Sequence, residues 1–178
     1  MFARKPKIES TGKESVRLSR EVIDKLSGND PSLVEYTLTQ TFNNKKGGYA
    51  GYENQSLLLS FCKALQSNTT LKKLQLYSIQ GGSLDKDCVT ALGQALSDNK
   101  SLELLVLDGN GLTNVVKEVL SGNSTLTTIG LFGKWVSNTI LKRLKSCSNI
   151  TSLHLGGTGK AHPKKGMLNI TEKTIHTL

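Results

Sequence analysis

Residues 94–112 read QALSDNKSLELLVLDGNGL, and they carry the clearest indication of how the chain folds. It contains the pattern L-x-x-L-x-L, formed by Leu102, Leu105 and Leu107. Successive side chains of a β-strand point to opposite faces, so the alternation predicts a short strand with one face in a core. The stretch therefore predicts a strand that follows directly on the end of a helical segment.

The same pattern recurs along the whole chain. Four copies are intact, the first copy carries Tyr36 in place of a leucine, and the last copy, at 175–178, is partial. Recurrence at a period of 20 to 50 residues is the mark of a repeat architecture. The first positions of the copies are Leu33, Leu71, Leu102, Leu126, Ile150 and Ile175.

Helical segments are predicted between the strands. Apolar residues recur there at the i, i+3, i+4 and i+7 spacing of an amphipathic helix. Strand, loop and helix repeated in this way predict an α/β solenoid, with a parallel sheet on the concave face and helices on the convex face. The predicted helices cover residues 54–67, 85–97, 114–120 and 137–145.

Residues 94–112 resemble the leucine-rich repeat of the ribonuclease-inhibitor-like class, whose pattern is A-L-x-x-N-x-x-L-x-x-L-x-L-x-x-N-x-L. Asn110 falls at the asparagine that follows the strand in that class. The longer repeats also resemble the C-terminal repeat domain of tropomodulin. The resemblance covers residues 31–178 and implies a protein that binds other proteins without catalysis.

Asparagines precede the strands in a pattern that also resembles glycosylation sites. The repeat explains these asparagines better than glycosylation does, since no secretion signal is expected. They are Asn68, Asn99, Asn123 and Asn149.

The ends of the chain differ from the repeats. Residues 1–14 are Lys-rich and predict a flexible basic arm, and residues 15–30 predict an N-terminal capping helix. Residues 43–52 form a Gly-rich insertion in the first repeat. The leucine-rich repeats cover 31–178 with the last one incomplete, so either the protein continues beyond Leu178 or the chain has been trimmed.

Composition excludes several classes of protein. No stretch is long and apolar enough to span a membrane, and the opening residues lack the apolar core of a secretory signal. Three widely separated cysteines fit a reducing compartment, which predicts a cytoplasmic protein. The net charge of +9 lies mainly in residues 1–20 and 160–178. Tails that are merely solvated are a simpler interpretation of this charge than tails that bind an anionic partner.

Catalysis is not predicted. The segment 156–160, Gly-Gly-Thr-Gly-Lys, lacks the other residues of a phosphate-binding loop. Cys62 and Cys88 lie in or beside predicted apolar stripes, whereas Cys147 follows a basic helix end, which predicts a lowered pKa for its thiol. The histidines show no metal-ligand spacing. We therefore expect no catalytic residue, metal, cofactor or small-molecule substrate.

The residues between the leucines of each strand predict a binding surface. Its middle is apolar, although the core lies on the other side of the sheet, and such a patch with a polar rim is typical of a protein-binding site. Trp135 follows this patch in a loop, where it either anchors an interface or packs under the next helix. The predicted partner-binding residues are Lys73, Gln75, Tyr77, Leu104, Val106, Asp108, Phe132, Trp135 and His154.

The predicted function is a non-catalytic protein-binding module that engages, and inhibits or regulates, a partner protein through its concave face. The resemblance to ribonuclease inhibitor suggests that the partner is an enzyme. The Lys-rich composition and degenerate repeats resemble effectors that intracellular bacteria deliver into the host cytosol. Two alternatives stay open: a eukaryotic cytoskeletal or signalling adaptor of tropomodulin-like type, and binding of nucleic acid or an anionic surface by the basic tails, which the few basic residues of the concave face disfavour.

Overall fold

A computed structural model describes residues 17–39, 50–80, 85–133, 138–156 and 167–171. Helices and strands alternate along these residues as far as the fifth strand, and a sixth strand follows it. The helices are α1 (Arg20–Ser27), α2 (Ala50–Ser67), α3 (Lys86–Asp98), α4 (Thr113–Gly122) and α5 (Asn138–Lys145). The strands are β1 (Glu35–Thr39), β2 (Lys73–Gln80), β3 (Leu104–Asn110), β4 (Thr128–Phe132), β5 (Ser152–Gly156) and β6 (Met167–Thr171).

The strands form one sheet in chain order, as expected of a solenoid of repeats. β1 to β5 are parallel, and each strand pairs with the strand of the next repeat. Because each connection contains a helix, the helices stack beside one another on one face of the sheet. This is the α/β leucine-rich-repeat arrangement that the period of the sequence predicts.

The sixth strand departs from the predicted parallel sheet of repeats. β6 lies at 167–171 and runs antiparallel to β5, with Leu153 opposite Ile170. An antiparallel neighbour can follow without a crossover helix, so β6 pairs along the edge that β5 would otherwise present. The partial repeat copy at 175–178 lies outside the described residues.

Two helices begin at residues that the sequence did not indicate. α1 begins at Arg20, because the side chain of Ser19 caps it by accepting a hydrogen bond from the Val22 amide at 3.4 Å. α2 begins at Ala50, inside the segment 43–52 that was predicted as a Gly-rich insertion, so that prediction is too long at its C-terminal end.

The core lies between the sheet and the helices. The leucines and isoleucines of the four intact copies of the repeat pattern are almost fully buried, and they pack against the apolar stripes of the helices. Burying a leucine side chain is worth about 1.5–3 kcal/mol, so the regular supply of such residues holds each repeat to its neighbours. The fully buried strand residues include Leu74, Leu105, Ile129 and Leu153.

Buried asparagines join successive repeats at the point where each helix turns into the next strand. Each Nδ2 group donates to a carbonyl of the preceding repeat, and each Oδ1 atom accepts from backbone amides at the start of its own strand. Because a buried polar group without a partner is costly, these bonds fix the turn. The carbonyl acceptors are Leu26 for Asn68 (2.8 Å), Leu65 for Asn99 (2.7 Å) and Leu96 for Asn123 (2.8 Å).

Cys147 takes the asparagine position in the last of these turns. Its Sγ atom lies 3.3 Å from the carbonyl oxygen of Leu120, which corresponds to the carbonyl that each asparagine contacts in the earlier turns. Asn149, which the sequence assigned to this position, instead donates to the carbonyl of Leu126 at 2.8 Å. One repeat earlier, the hydroxyl of Thr125 donates to the equivalent carbonyl, that of Leu102. The last turn therefore has a weaker donor than the others.

Candidate protein-binding surface

The face of the sheet that points away from the helices carries the predicted site. We call it the exposed sheet face and define it by the residues that alternate with the buried leucines of β1 to β5. Strand register places these residues in three rows that cross the sheet. The first row is Glu35, Lys73, Leu104, Thr128 and Ser152; the second is Thr37, Gln75, Val106, Gly130 and His154; the third is Thr39, Tyr77, Asp108, Phe132 and Gly156.

The middle of this face is apolar and partly exposed. Leu104 and Val106 on β3 and Phe132 on β4 are all partly exposed, whereas the core residues of the same strands are almost fully buried. Side chains on adjacent strands lie about 5 Å apart, so these three form one continuous patch. The core does not need them, because it lies on the opposite side of the sheet.

Two glycines make room for the Phe132 ring. A Cβ atom added at Gly156 would lie 2.4 Å from Cδ1 of the ring, and one added at Gly130 would lie 3.1 Å from Cε2. The ring therefore lies down on the sheet over these glycines, leaning from β4 toward β5. The same hypothetical atom at Gly130 would lie 3.2 Å from Cγ2 of Val106, so Val106 and Phe132 together cover Gly130, which is buried.

Polar groups border the apolar patch on the β2 side. The Tyr77 hydroxyl donates to Oε1 of Gln75 at 2.8 Å, which directs the ring back along its own strand. Burial raises the pKa of the Tyr77 hydroxyl, and the neighbouring Asp108 carboxylate raises it further. Burial also raises the pKa of the Asp108 carboxyl, so its charged form is poorly solvated in the folded protein.

The strand register breaks where Tyr77 and Asp108 meet. Leu76 pairs with Leu107 and Ile79 pairs with Gly109, so two residues of β2, Tyr77 and Ser78, lie opposite the single residue Asp108. An extra residue of this kind twists a strand and re-aims its side chains, and it is frequent beside functional sites.

The ends of the exposed sheet face carry polar pairs. Lys73 on β2 forms a salt bridge with Glu35 on β1, and both side chains are exposed. On β5, the Ser152 hydroxyl lies 3.3 Å from Nε2 of His154. An exposed pair such as Lys73–Glu35 contributes little stability, so it acts chiefly by balancing the charge of this end of the face.

The structure thus brings most of the predicted partner-binding residues onto one surface. Trp135 lies outside the described residues, and so does the side chain of Asn110. The sequence missed the role of Gly130 and Gly156 beneath the Phe132 ring, and it missed the register break at Tyr77. The residues on the face are Lys73, Gln75, Tyr77, Leu104, Val106, Asp108, Phe132 and His154.

The thiols occupy interior positions. Cys62, Cys88 and Cys147 are all free and buried. Burial raises the pKa of Cys62 and of Cys88 to about 12, so neither is a thiolate near neutrality. For Cys147 the sequence suggested a lowered pKa beside a basic helix end, but burial outweighs the effect of Arg143 and raises it.

Within the described ranges, no group of three or more His, Cys, Asp or Glu side chains is placed to hold a metal ion. The same residues contain no helix of the length and apolar character that a membrane crossing requires. The segment 157–160, which resembles part of a phosphate loop, lies outside the described residues.

Comparison with known proteins supports the fold class. Strand order, parallel register and a helix in each connection define a leucine-rich-repeat-like α/β protein. Among solved structures, the chain is similar to actin-binding site 2 (ABS2) of leiomodin-1, with a TM-score of 0.54 and 24% sequence identity over 79% of each chain. No protein-family model matches the sequence, and no curated protein matches it either.

Proposed function

We propose that this chain is a non-catalytic protein-binding module that engages a partner protein through the exposed sheet face. The observation that carries the proposal is the apolar patch of Leu104, Val106 and Phe132, which lies on the side of the sheet away from the core. A folded chain gains nothing from leaving such residues in contact with water, whereas desolvated apolar residues ringed by polar ones are the usual centre of a protein interface.

The partner favoured by the comparison is actin. The structural neighbour is named as an actin-binding site, and this supports a tropomodulin-like cytoskeletal adaptor more than the inhibitor, effector or enzyme-partner interpretations. Those finer interpretations, like a cytoplasmic location, stay predictions. Buried free thiols fit a reducing compartment.

Binding by the basic tails is the competing proposal. Much of the net charge of +9 lies in residues 1–20 and 160–178, most of which lie outside the described residues. Phosphate or anionic-surface binding weakens steeply with added salt, whereas contact through an apolar patch does not. A salt titration of any complex therefore separates the two.

The experiment is a comparative pull-down with three versions of the chain. Val106→Asp places a charge in the centre of the patch, and Leu59→Asp is the matched control, because Leu59 is an exposed apolar residue (39%) of α2, away from the sheet. We expect the same proteins to be retained by the wild type and by Leu59→Asp and to be lost with Val106→Asp. Retention of the same proteins by Val106→Asp would contradict the proposal.

Actin is tested directly by titrating monomeric actin into the fluorescently labelled chain. Saturable binding that Val106→Asp abolishes and Leu59→Asp preserves would support actin as the partner. If the wild type does not bind actin, actin is excluded as the partner, and the pull-down still tests the exposed sheet face.

A further inference from the structure

The middle of the exposed sheet face holds a carboxylate, that of Asp108, for which the described residues supply no counter-charge. Asp108 is partly buried, and no ion pair or hydrogen bond to its carboxylate is present among the described residues. The other charges of the face, Lys73 and Glu35, are paired with each other toward the β1 edge. A partly desolvated carboxylate in an apolar surface costs stability unless something outside the fold pairs with it.

Aromatic side chains flank this carboxylate on both neighbouring strands. Phe132 is the register partner of Asp108 on β4, and Tyr77 lies opposite it on β2 at the register break. The Phe132 ring lies over Gly130 and Gly156, and the Tyr77 hydroxyl donates its proton to Gln75 and not to Asp108. The carboxylate therefore lies between two aromatic residues without a hydrogen bond from the Tyr77 hydroxyl.

We infer that the partner protein places an arginine side chain on the Asp108 carboxylate, between the rings of Tyr77 and Phe132; this inference rests on the proposed function. A guanidinium group is planar, stacks on aromatic rings and donates two parallel hydrogen bonds to a carboxylate. The Tyr77 hydroxyl, which already donates to Gln75, has its oxygen left to accept a further hydrogen bond. Arginine fits these features better than lysine, whose ammonium group is compact and strongly hydrated.

The stability of an Asp108→Asn variant separates a binding role from a structural one. Burial raises the pKa of Asp108, so the folded chain holds the proton of this carboxyl group more tightly than the unfolded chain does. As pH rises through the pKa of Asp108 in the folded chain, ionisation of the carboxyl group lowers the free energy of unfolding, and near neutrality the ionised carboxylate destabilises the fold. Asp108→Asn should therefore keep or raise the urea midpoint, whereas a residue retained for stability would lower it.

The binding experiment uses a displayed library of random linear peptides as the probe. Peptides are selected on the wild-type chain and then tested on Asp108→Asn and Val106→Asp. Because the whole chain is strongly basic, non-specific attraction favours acidic peptides, so enrichment of arginine would have to come from a local site. We expect arginine to be enriched among peptides whose binding is lost with Val106→Asp.

A double-mutant cycle then measures the contact. In a selected peptide, Arg→Gln should weaken binding to the wild type by about thirtyfold and binding to Asp108→Asn by less than about threefold. Peptides that depend on Val106 but lack arginine enrichment, or that bind Asp108→Asn unchanged, would overturn the inference and leave the proposed function standing. Failure to recover any peptide that depends on Val106 would overturn both.

Discussion

Asn99→Ala removes the most completely enclosed of the asparagines that join the repeats. The Asn99 side chain is fully buried, at 0% exposure. Its Oδ1 atom accepts from the amides of Ser101 and Leu102, both at 2.8 Å. Its Nδ2 group donates to the carbonyls of Leu65 at 2.7 Å and Asn68 at 3.0 Å.

The magnitude follows from the partners that stay unsatisfied. Both carbonyls keep another donor in the Asn99→Ala chain: the backbone amide of Asn68 donates to the Leu65 carbonyl, and the Ser101 hydroxyl donates to the Asn68 carbonyl. Losing the Asn99 side chain therefore costs these carbonyls little. The two amides lose their acceptor inside the core, and each buried unsatisfied group costs about 1–3 kcal/mol. The free energy of unfolding should therefore fall by about 2–6 kcal/mol, a large share of the total stability of about 5–15 kcal/mol of a typical domain.

The assay is urea denaturation followed by far-UV circular dichroism. Asn114→Ala is the matched control, because Asn114 is exposed on α4 and its replacement should change the free energy of unfolding by no more than about 0.5 kcal/mol. Asn99→Asp keeps the acceptor but turns a second oxygen toward two carbonyls, so it should also destabilise. An Asn99→Ala chain whose free energy of unfolding lies within about 1 kcal/mol of the wild-type value would show that the Ser101 and Leu102 amides do not depend on the Asn99 side chain.

Three further predictions concern packing and the thiols. Leu105→Ala should lower the free energy of unfolding by about 2–5 kcal/mol in the same assay, because Leu105 lies at the centre of the shared core; an unchanged melt would place the core elsewhere. Gly122→Ala should lower the free energy of unfolding by about 0.5–3 kcal/mol more in the wild type than in a Ser97→Ala chain, because the added Cβ would lie 1.9 Å from the Ser97 hydroxyl. An equal decrease in both chains would argue against that contact. Iodoacetamide at pH 8 should alkylate the three cysteines slowly in the folded chain and rapidly in urea, as followed by mass spectrometry, because burial raises the pKa of each thiol; fast labelling of the folded chain would contradict their burial.

The repeat period was enough to predict the parallel sheet and its buried leucines. The spacing of Leu102, Leu105 and Leu107 specifies a strand with one buried face, and its recurrence specifies stacking of like units. The same alternation indicated which side chains lie on the exposed sheet face. These features depend on local pattern, which a single sequence carries.

Features that depend on contacts between repeats were not predictable. An antiparallel β6 depends on which edge is left open, and the lean of the Phe132 ring depends on two glycines, one of them on the next strand. No motif in the sequence marks these two arrangements. The last turn is different, because spacing alone indicates its contact: Cys147 precedes Ile150 by three residues, as Asn123 precedes Leu126, whereas Asn149 precedes Ile150 by one.

The exposed sheet face, and not the basic tail, is proposed to hold the partner protein. The most direct test is the equilibrium affinity of one partner recovered in the pull-down, measured for the wild type, for Phe132→Ala and for a chain without residues 1–14. Truncating an aromatic side chain at the centre of an interface commonly costs about 2 kcal/mol, so Phe132→Ala should weaken binding by about thirtyfold. The chain without residues 1–14 should bind almost as the wild type does. If removing residues 1–14 abolishes binding while Phe132→Ala leaves it unchanged, the exposed sheet face is not the partner-binding surface.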